Sequence, residues 1–199
     1  MILTPRFDEA LTLAVRLHRN DVRKGKSTPY VAHILGVCSL VLQDGGDEDQ
    51  AIAALLHDAL EDHPEEIRPE QISEQFGETV LAMVQDCTDT PAGFGGGEKP
   101  PWRARKEQYL AHIRHASPGS RRVSTADKLY NARELLSDLR REGARTSARF
   151  NAGPKDQIWF YQTFVDEMLS GGESGTLILE LKGVVAELST LMAGPASHT

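Results

Sequence analysis

One short stretch of the sequence carries His57, Asp58, Glu61 and Asp62, which are residue types that take part in metal-dependent acid–base chemistry. In a helix, His57 and Glu61 lie one turn apart on the same ridge. Asp58 and Asp62 lie likewise on the adjacent ridge, so that all four side chains share one polar edge. Residues 51–56 are apolar nearly all round, which predicts a buried helix whose acidic edge faces the interior. Buried carboxylates need a partner, and a divalent cation bound with a histidine would neutralise several of them at once.

A histidine next to an aspartate also occurs on solvated helix faces, and the histidine can be an ordinary core residue. Whether the pair belongs to a metal site therefore depends on residues elsewhere in the chain. His33 lies within the apolar run 31–37, and Asp127 lies in the segment Ala126-Asp127-Lys128-Leu129. Each is a ligand type set among apolar neighbours. Three separate helices would thus each bring a ligand type to one buried place, which favours a mixed imidazole and carboxylate site for a divalent ion.

Composition limits the class of protein. The chain has 199 residues with 40% hydrophobic and 26% charged residues, which is typical of a globular protein and predicts a single domain over residues 1–199. No apolar run reaches the length of a membrane span, and the first residues lack the pattern of a signal peptide, so we expect a cytoplasmic protein. Cys38 and Cys87 lie in apolar helical patterns and are expected to be reduced core residues.

The net charge of −7 argues against a nucleic-acid or anionic-membrane partner, because such partners require a broad positive surface. The basic residues are nevertheless clustered, which suits a small and highly anionic ligand. Arg140 and Arg141, which precede Gly143, are better explained as cations that stabilise the C-terminus of a helix. The clusters are Arg23, Lys24 and Lys26; Arg103, Arg105 and Lys106; Arg121 and Arg122; and Arg140, Arg141, Arg145 and Arg149.

Every long apolar pattern has a period near 3.6, and no repeat is visible, so the predicted fold is an all-α, compact multi-helix bundle. Prolines and glycines set most of the expected boundaries. The segment 117–120 is expected to break the chain, and the segment from Thr90 to Pro101, with four glycines and three prolines, is expected to be a mobile loop beside the site. The predicted helices cover about 8–21, 30–42, 47–63, 69–76, a segment around 80–84, one from about 102, 121–139, one from 154, and 176–192.

Taken in order, these motifs resemble the HD-domain metal-dependent phosphohydrolases, and within them the hydrolase half of the RelA/SpoT family and its single-domain small alarmone hydrolases. The resemblance covers most of the chain. It is carried by the segments Arg23-Lys24 before Pro29-Tyr30, the helix of His33, Ala54-Leu55-Leu56-His57-Asp58 with Glu61-Asp62, Phe76-Gly77-Glu78-Thr79-Val80, Trp102 with Arg105-Lys106, and Ala126-Asp127-Lys128-Leu129-Tyr130-Asn131.

The resemblance implies a role for each candidate residue. It implies hydrolysis of the 3′-pyrophosphate of guanosine tetra- and pentaphosphate, ppGpp and pppGpp, to pyrophosphate and GDP or GTP. Glu61 and Asp62 would position and deprotonate the attacking water. Four residues would bind one divalent ion, usually Mn²⁺: His33, His57, Asp58 and Asp127. Four others would bind the nucleotide, Arg23 by stacking on guanine, Lys24 and Lys106 at phosphates, and Asn131 at the nucleotide.

Two departures from the family pattern leave the substrate open. Ser124 stands where the family often has Lys, and Thr125 replaces an apolar residue. One alternative is a phosphohydrolase of the same fold that acts on another nucleotide, such as the 2′-phosphate of NADPH. Another is a catalytically silent nucleotide-sensing module, against which the presence of both Glu61 and Asp62 argues. The sequence also leaves open the oligomeric state, with a homodimer among the options, and the identity of the metal.

Overall fold

The structure is a computed structural model that describes residues 2–89, 100–143, 146 and 152–193. Its helices are α1 (Pro5–Leu17), α2 (Val31–Gln43), α3 (Glu48–Leu56), α4 (Ala59–Asp62), α5 (Pro69–Phe76), α6 (Glu78–Cys87), α7 (Trp102–Ile113), α8 (Pro118–Glu142), α9 (Pro154–Ser170) and α10 (Thr176–Ala193). Within the described ranges, the extended pairing consists of an isolated antiparallel bridge between Val22 and Pro29. The predicted all-α class is confirmed. No helix in this part of the chain combines the length and apolar character needed to cross a bilayer.

The helix starts follow from capping chemistry. Asp47 accepts a hydrogen bond from the backbone N–H of Gln50 at 2.9 Å and so opens α3. Ser117 accepts one from the N–H of Ser120 at 3.0 Å, and Pro118 occupies the first turn, where its missing N–H costs nothing. The chain is interrupted between α7 and α8 as predicted, but α8 begins at Pro118, three residues earlier than the predicted Arg121.

The helix that was predicted to be continuous over 47–63 is divided at His57 and Asp58. Asp58 has φ −100° and ψ −5°, which departs from ideal helical geometry, and α4 begins only at Ala59. The contacts of the Asp58 carboxylate explain the turn, since it lies 2.9 Å from His57 Nε2 and accepts a hydrogen bond from the Tyr30 hydroxyl at 2.5 Å. Glu61 is consequently half-buried and Asp62 exposed, at the rim of a cleft rather than in the interior.

Helices α3 and α8 form the centre of the bundle. Residues 51–56 of α3 are all buried, and α8 packs against α2, α3, α6 and α10. The backbone of the connection between α1 and α2 closes on itself, because the N–H of Tyr30 donates to the carbonyl of Asp21 at 2.9 Å. This closure holds Arg23 and its neighbours beside α8. Of the predicted mobile loop, residues 90–99 lie outside the described residues.

Gly36 of α2 lies against the side chain of Tyr130 in α8. A Cβ atom at this position would overlap the ring of Tyr130, which packs edge-on against His33 with ring centroids 5.0 Å apart. We therefore expect Gly36→Ala to destabilise the fold by about 1–3 kcal/mol. Thermal unfolding would show this as a fall in Tm of roughly 2–4 °C per kcal/mol. Gly183→Ala in α10, where a Cβ meets nothing within 4 Å, is the control, and an equal effect of both changes would contradict the overlap.

Candidate active site

Three parts of the fold bring the predicted ligands together. α2 supplies His33, the turn between α3 and α4 supplies His57 and Asp58, and α8 supplies Asp127. The two imidazole side chains are each 1% exposed, whereas the Asp58 and Asp127 side chains are 25% and 10% exposed. The cluster thus has a buried nitrogen side and a carboxylate side that reaches a cleft.

The ligand atoms are as close as atoms that share one cation. The Nε2 atoms of His33 and His57 are 3.2 Å apart. Asp58 Oδ2 lies 2.9 Å from His57 Nε2 and 3.6 Å from His33 Nε2. Asp127 Oδ1 lies 3.3 Å and 3.7 Å from His33 and His57 Nε2. For metal–ligand bonds of roughly 2.1 Å, neighbouring ligand atoms are separated by about 3–3.5 Å, so the donor set fits a divalent ion.

The orientation of His57 supports the same interpretation. Its Nδ1 lies 2.8 Å from the carbonyl oxygen of Ala54, which is an acceptor only. Nδ1 therefore carries a proton, and Nε2, which points into the cluster, is the atom available to a metal ion. Holding a ligand histidine by a backbone carbonyl in this way is the usual arrangement around protein metal ions.

The charges around the cluster favour ionised carboxylates. Burial acts to raise the pKa of Asp127, but Lys128 and the two imidazoles hold it well below its ordinary range. Burial also acts to raise the pKa of Asp58, but the neighbouring His57 holds this pKa well below its ordinary range. Lys128 Nζ lies 2.5 Å from Asp127 Oδ2 and is itself buried. Both aspartates are therefore anionic at neutral pH, as metal ligands must be.

Tyr30 supports the cluster from outside, since its hydroxyl donates to Asp58 Oδ2 at 2.5 Å. Hydrogen-bond partners of metal ligands typically contribute about 10- to 100-fold to metal affinity. We expect Tyr30→Phe to weaken metal binding by this factor, measured by equilibrium dialysis. Tyr161→Phe, which removes a hydroxyl from the wall of a neighbouring cavity, is the control. Unchanged affinity in Tyr30→Phe would show that Asp58 does not need this partner.

Glu61 and Asp62 border the same cleft, a cavity of about 230 Å³ that also exposes Asp58 and Asp127. Thr88 Oγ1 donates to Glu61 Oε2 at 2.8 Å, which fixes this carboxylate. Asp62 lies at the rim. Partial burial, together with repulsion from Asp58 and Glu61, raises the pKa of Asp62 to about 7. A carboxylate with such a pKa is suited to exchange protons near neutral pH.

Arg23, Lys24 and Lys26 line a second cavity, of about 570 Å³, which adjoins the first through Tyr30, Asp62 and Asn131. Arg23 donates to Glu134 and, at 2.5 Å, to Asn131 Oδ1. The other end of the Asn131 amide donates to Asp127 Oδ1 at 2.6 Å. Asn131 therefore connects the cationic wall to the ligand cluster through both of its polar atoms, in addition to lining the cleft.

Lys106 Nζ lies 2.6 Å from Asp89 Oδ2, and Arg105 also pairs with Asp89. Lys106 lines the cleft together with Lys128. Arg103, which sequence reasoning grouped with these cations, lies over the ring of Trp159 and pairs with Asp156. It thus belongs to the contact between α7 and α9.

Sequence reasoning did not place Tyr30, Thr88 and Lys128 among the functional residues. A lysine directly after Asp127 and before Leu129 was a usable signal, because a lysine that is buried needs an anion. Ser124, at the family's lysine position, is buried, with its Oγ 3.5 Å from Cys87 Sγ. Cys87 lines the cleft, and burial raises the pKa of its thiol to about 11, so it is a poor nucleophile.

Comparison with known proteins agrees with this geometry. A family model described as HD domain matches residues 10–152. The guanosine-3′,5′-bis(diphosphate) 3′-pyrophosphohydrolase MESH1 of Mus musculus is 35% identical over 130 residues, which are 64% of this chain and 68% of that protein. MESH1 of Drosophila melanogaster is 32% identical over 180 residues, which are 89% of this chain and 90% of that protein.

A solved structure, described as a metazoan ortholog of SpoT that hydrolyses ppGpp, superimposes with a TM-score of 0.73 at 24% identity. The alignment covers 94% of this chain and 97% of that chain, so the two proteins share their fold over almost their full lengths. With a family model that spans most of the sequence and relatives that are similar over two thirds or more of their own length, the chain belongs to the HD domain family, alongside the MESH1 proteins.

Proposed function

We propose that this protein hydrolyses the 3′-pyrophosphate of ppGpp and pppGpp, giving pyrophosphate and GDP or GTP. The observation that carries the proposal is the joining of two cavities at Asp62 and Asn131. One contains the donor cluster together with Glu61 and Asp62, and the lining of the other includes Arg23, Lys24 and Lys26. A nucleotide that carries phosphates on both sides of its ribose requires such a divided, partly cationic site. The MESH1 relatives are named for this reaction.

A divalent metal ion is the cofactor, and we infer that it is Mn²⁺, bound by His33, His57, Asp58 and Asp127. A set of two imidazoles and two carboxylates is intermediate between the nitrogen and sulfur sites of zinc and the all-oxygen sites of magnesium. When bound, such an ion supplies Lewis acidity at a phosphate oxygen and lowers the pKa of water.

The acid residues of this chain would handle the protons. In the proposed reaction, the oxygen of a water molecule attacks the phosphorus that is joined to the ribose 3′ oxygen. That phosphorus–oxygen bond breaks, and the 3′ oxygen takes up a proton. Asp62, with a pKa raised to about 7, is placed to accept the proton of water. Glu61, held by Thr88, would orient the same water.

The cations would hold the substrate. We assign Lys106, which lines the first cavity, and Lys24, which lines the second, to phosphate groups, and Arg23 to the guanine base. The guanidinium of Arg23 lies 5.4 Å from the centre of the Tyr30 ring and is fixed by Glu134. A planar cation that is already held in place loses little entropy when a base stacks on it. Asn131 would contact the nucleotide while it holds Arg23.

Replacing Arg23 tests this assignment. Contacts to a charged group contribute about 1.5–3 kcal/mol, so Arg23→Ala is expected to raise KM by roughly 10- to 100-fold. The metal content should not change, because Arg23 lies outside the ligand cluster. Arg140→Ala, which removes an exposed arginine paired with Glu187, is the control. A wild-type KM in Arg23→Ala would contradict the role in substrate binding.

The remaining expectations concern partners and location. With a net charge of −7, the protein is expected to bind neither nucleic acid nor membranes. We expect it to act in the cytoplasm, where its nucleotide substrate is made and its free Cys38 and Cys87 stay reduced. A homodimer is our proposal for the oligomeric state.

The substrate is tested directly by incubating the purified protein with Mn²⁺ and a panel of ppGpp, pppGpp, NADPH and simple nucleotides. Chromatography should show GDP or GTP together with pyrophosphate from the first two compounds. Release of inorganic phosphate from NADPH alone would instead assign the same site to a 2′-phosphatase. Binding of nucleotides without any product would identify a sensing module.

A further inference from the structure

We propose that His18, Asp21 and His63 form a second binding site for a divalent transition-metal cation, separate from the cluster around His57. His18 follows the last residue of α1, and His63 follows the last residue of α4. The chain thus brings together two imidazoles that are 45 residues apart in sequence, with a carboxylate between them.

The three ligand atoms form a nearly equilateral triangle. Asp21 Oδ2 lies 2.9 Å from His18 Nδ1 and 2.8 Å from His63 Nε2, and the two nitrogens are 3.2 Å apart. With metal–ligand bonds of roughly 2.1 Å, three adjacent ligands of an octahedral ion are separated by about 3 Å. Two histidines and one carboxylate on one face are a known set for first-row transition metals.

A network of hydrogen bonds alone accounts for this triangle less well. Both nitrogens would have to carry protons and direct them at one oxygen while they lie 3.2 Å from each other. The two lone pairs of a carboxylate oxygen point further apart than the directions from this oxygen to the two nitrogens. The two N–H groups would therefore repel each other. A single cation among the three atoms removes this repulsion and attracts all three.

The surroundings of the triangle fit a metal site. Glu66 Oε1 lies 3.4 Å from His63 Nδ1, which favours a proton on Nδ1 and leaves the lone pair of Nε2 for a cation. His18 is 1% exposed, and its Nε2 has no hydrogen-bond partner within the described ranges, so its polar contacts are all made by Nδ1. The Asp21 side chain is 35% exposed, which gives an ion access from solvent.

The second site would lie one aromatic ring behind the first. The ring of His18 stacks on that of Tyr30, with centroids 4.9 Å apart, and Tyr30 donates its hydroxyl to Asp58. His63 directly follows Asp62. A cation held here would fasten the end of α1 to the end of α4 and so hold Tyr30 and Asp62 in position.

The experiment is to dialyse the full chain to equilibrium against Co²⁺ and to count bound metal by mass spectrometry. We expect two ions per chain in the wild type. Asp21→Asn and His63→Gln should each retain one, and Asp127→Asn should also retain one. His112→Gln, which removes an exposed histidine that pairs with a single aspartate, should retain two.

A second readout separates metal loss from misfolding. In the Asp127→Asn background, Co²⁺ should raise Tm because it binds the folded chain at the remaining site, and adding Asp21→Asn should abolish this rise. One ion in the wild type, or two ions in Asp21→Asn, would overturn the proposal and leave the triangle as a hydrogen-bonded contact between α1 and α4.

Discussion

Asp127→Asn is expected to remove the metal from the cluster of His33, His57 and Asp58 and to abolish turnover. The substitution keeps the shape of the side chain but removes the anionic oxygen that lies 3.3 Å from His33 Nε2. Affinity should fall by more than the roughly 100-fold that a hydrogen-bond partner of a ligand contributes. Equilibrium dialysis with Mn²⁺ measures this loss, and a chromatographic assay measures turnover.

The control must separate metal loss from unfolding, because Asp127 also neutralises the buried Lys128. Leaving a buried cation unpaired is strongly destabilising. Adding Lys128→Met to Asp127→Asn removes that cation and should restore much of the stability but not the metal. Asp86→Asn, in a carboxylate outside the cleft that accepts from Ser120, should leave both metal and activity unchanged. Full metal content at this cluster in Asp127→Asn would refute the assignment of the ligand.

The acid residues should behave in the opposite way. Glu61→Gln and Asp62→Asn are expected to retain the metal, while the single-turnover rate falls by about two to four orders of magnitude. Neither carboxylate is within the group of close contacts that joins the two imidazoles to Asp58 and Asp127. Asp58→Asn should instead weaken metal retention, so that excess Mn²⁺ partly restores its activity.

The pH dependence provides a further test of Asp62. Its pKa is raised to about 7, so the basic form is lost as the pH falls through this value. The wild-type rate should therefore rise with pH and level off above the pKa of Asp62. With a metal ion bound nearby, this pKa should lie at or below about 7, because a cation stabilises the anionic form. Asp62→Asn should lose this inflection. A variant of Glu61 or Asp62 that loses its metal, or that turns over at the wild-type rate, would contradict the proposed division of roles.

The helical spacing of apolar residues and the positions of proline and glycine were sufficient to predict most of the helices. The helix Pro69–Phe76 and the start of α7 at Trp102 are confirmed, because proline and glycine act on the local backbone alone. The division between α3 and α4 was not predictable in this way. It results from a contact of Asp58 with Tyr30, which is 28 residues earlier in the chain, and such a contact exists only in the folded protein.

The candidate site shows the same limit. His33 and Asp127 could be selected because a polar ligand type among apolar neighbours needs a partner when it is buried. The partner of each basic side chain was harder to predict. Nothing in the sequence distinguishes Arg103, which packs on Trp159, from Lys106, which lines the cleft three residues later. Their directions depend on the packing of α7 against α9.

The long helix α8 carries a row of polar residues on the side that faces the cleft, and this row links the two cavities. Asp127 contacts the imidazoles, Asn131 and Glu134 hold Arg23, and Asp138 pairs with Lys26 at 2.7 Å. At about 1.5 Å per residue, the helix sets the span of this row at roughly 16 Å. One inserted residue would turn everything beyond it by about 100° and separate the ligand cluster from its cationic wall. In this part of the chain, natural variants should therefore differ in residue type but not in length.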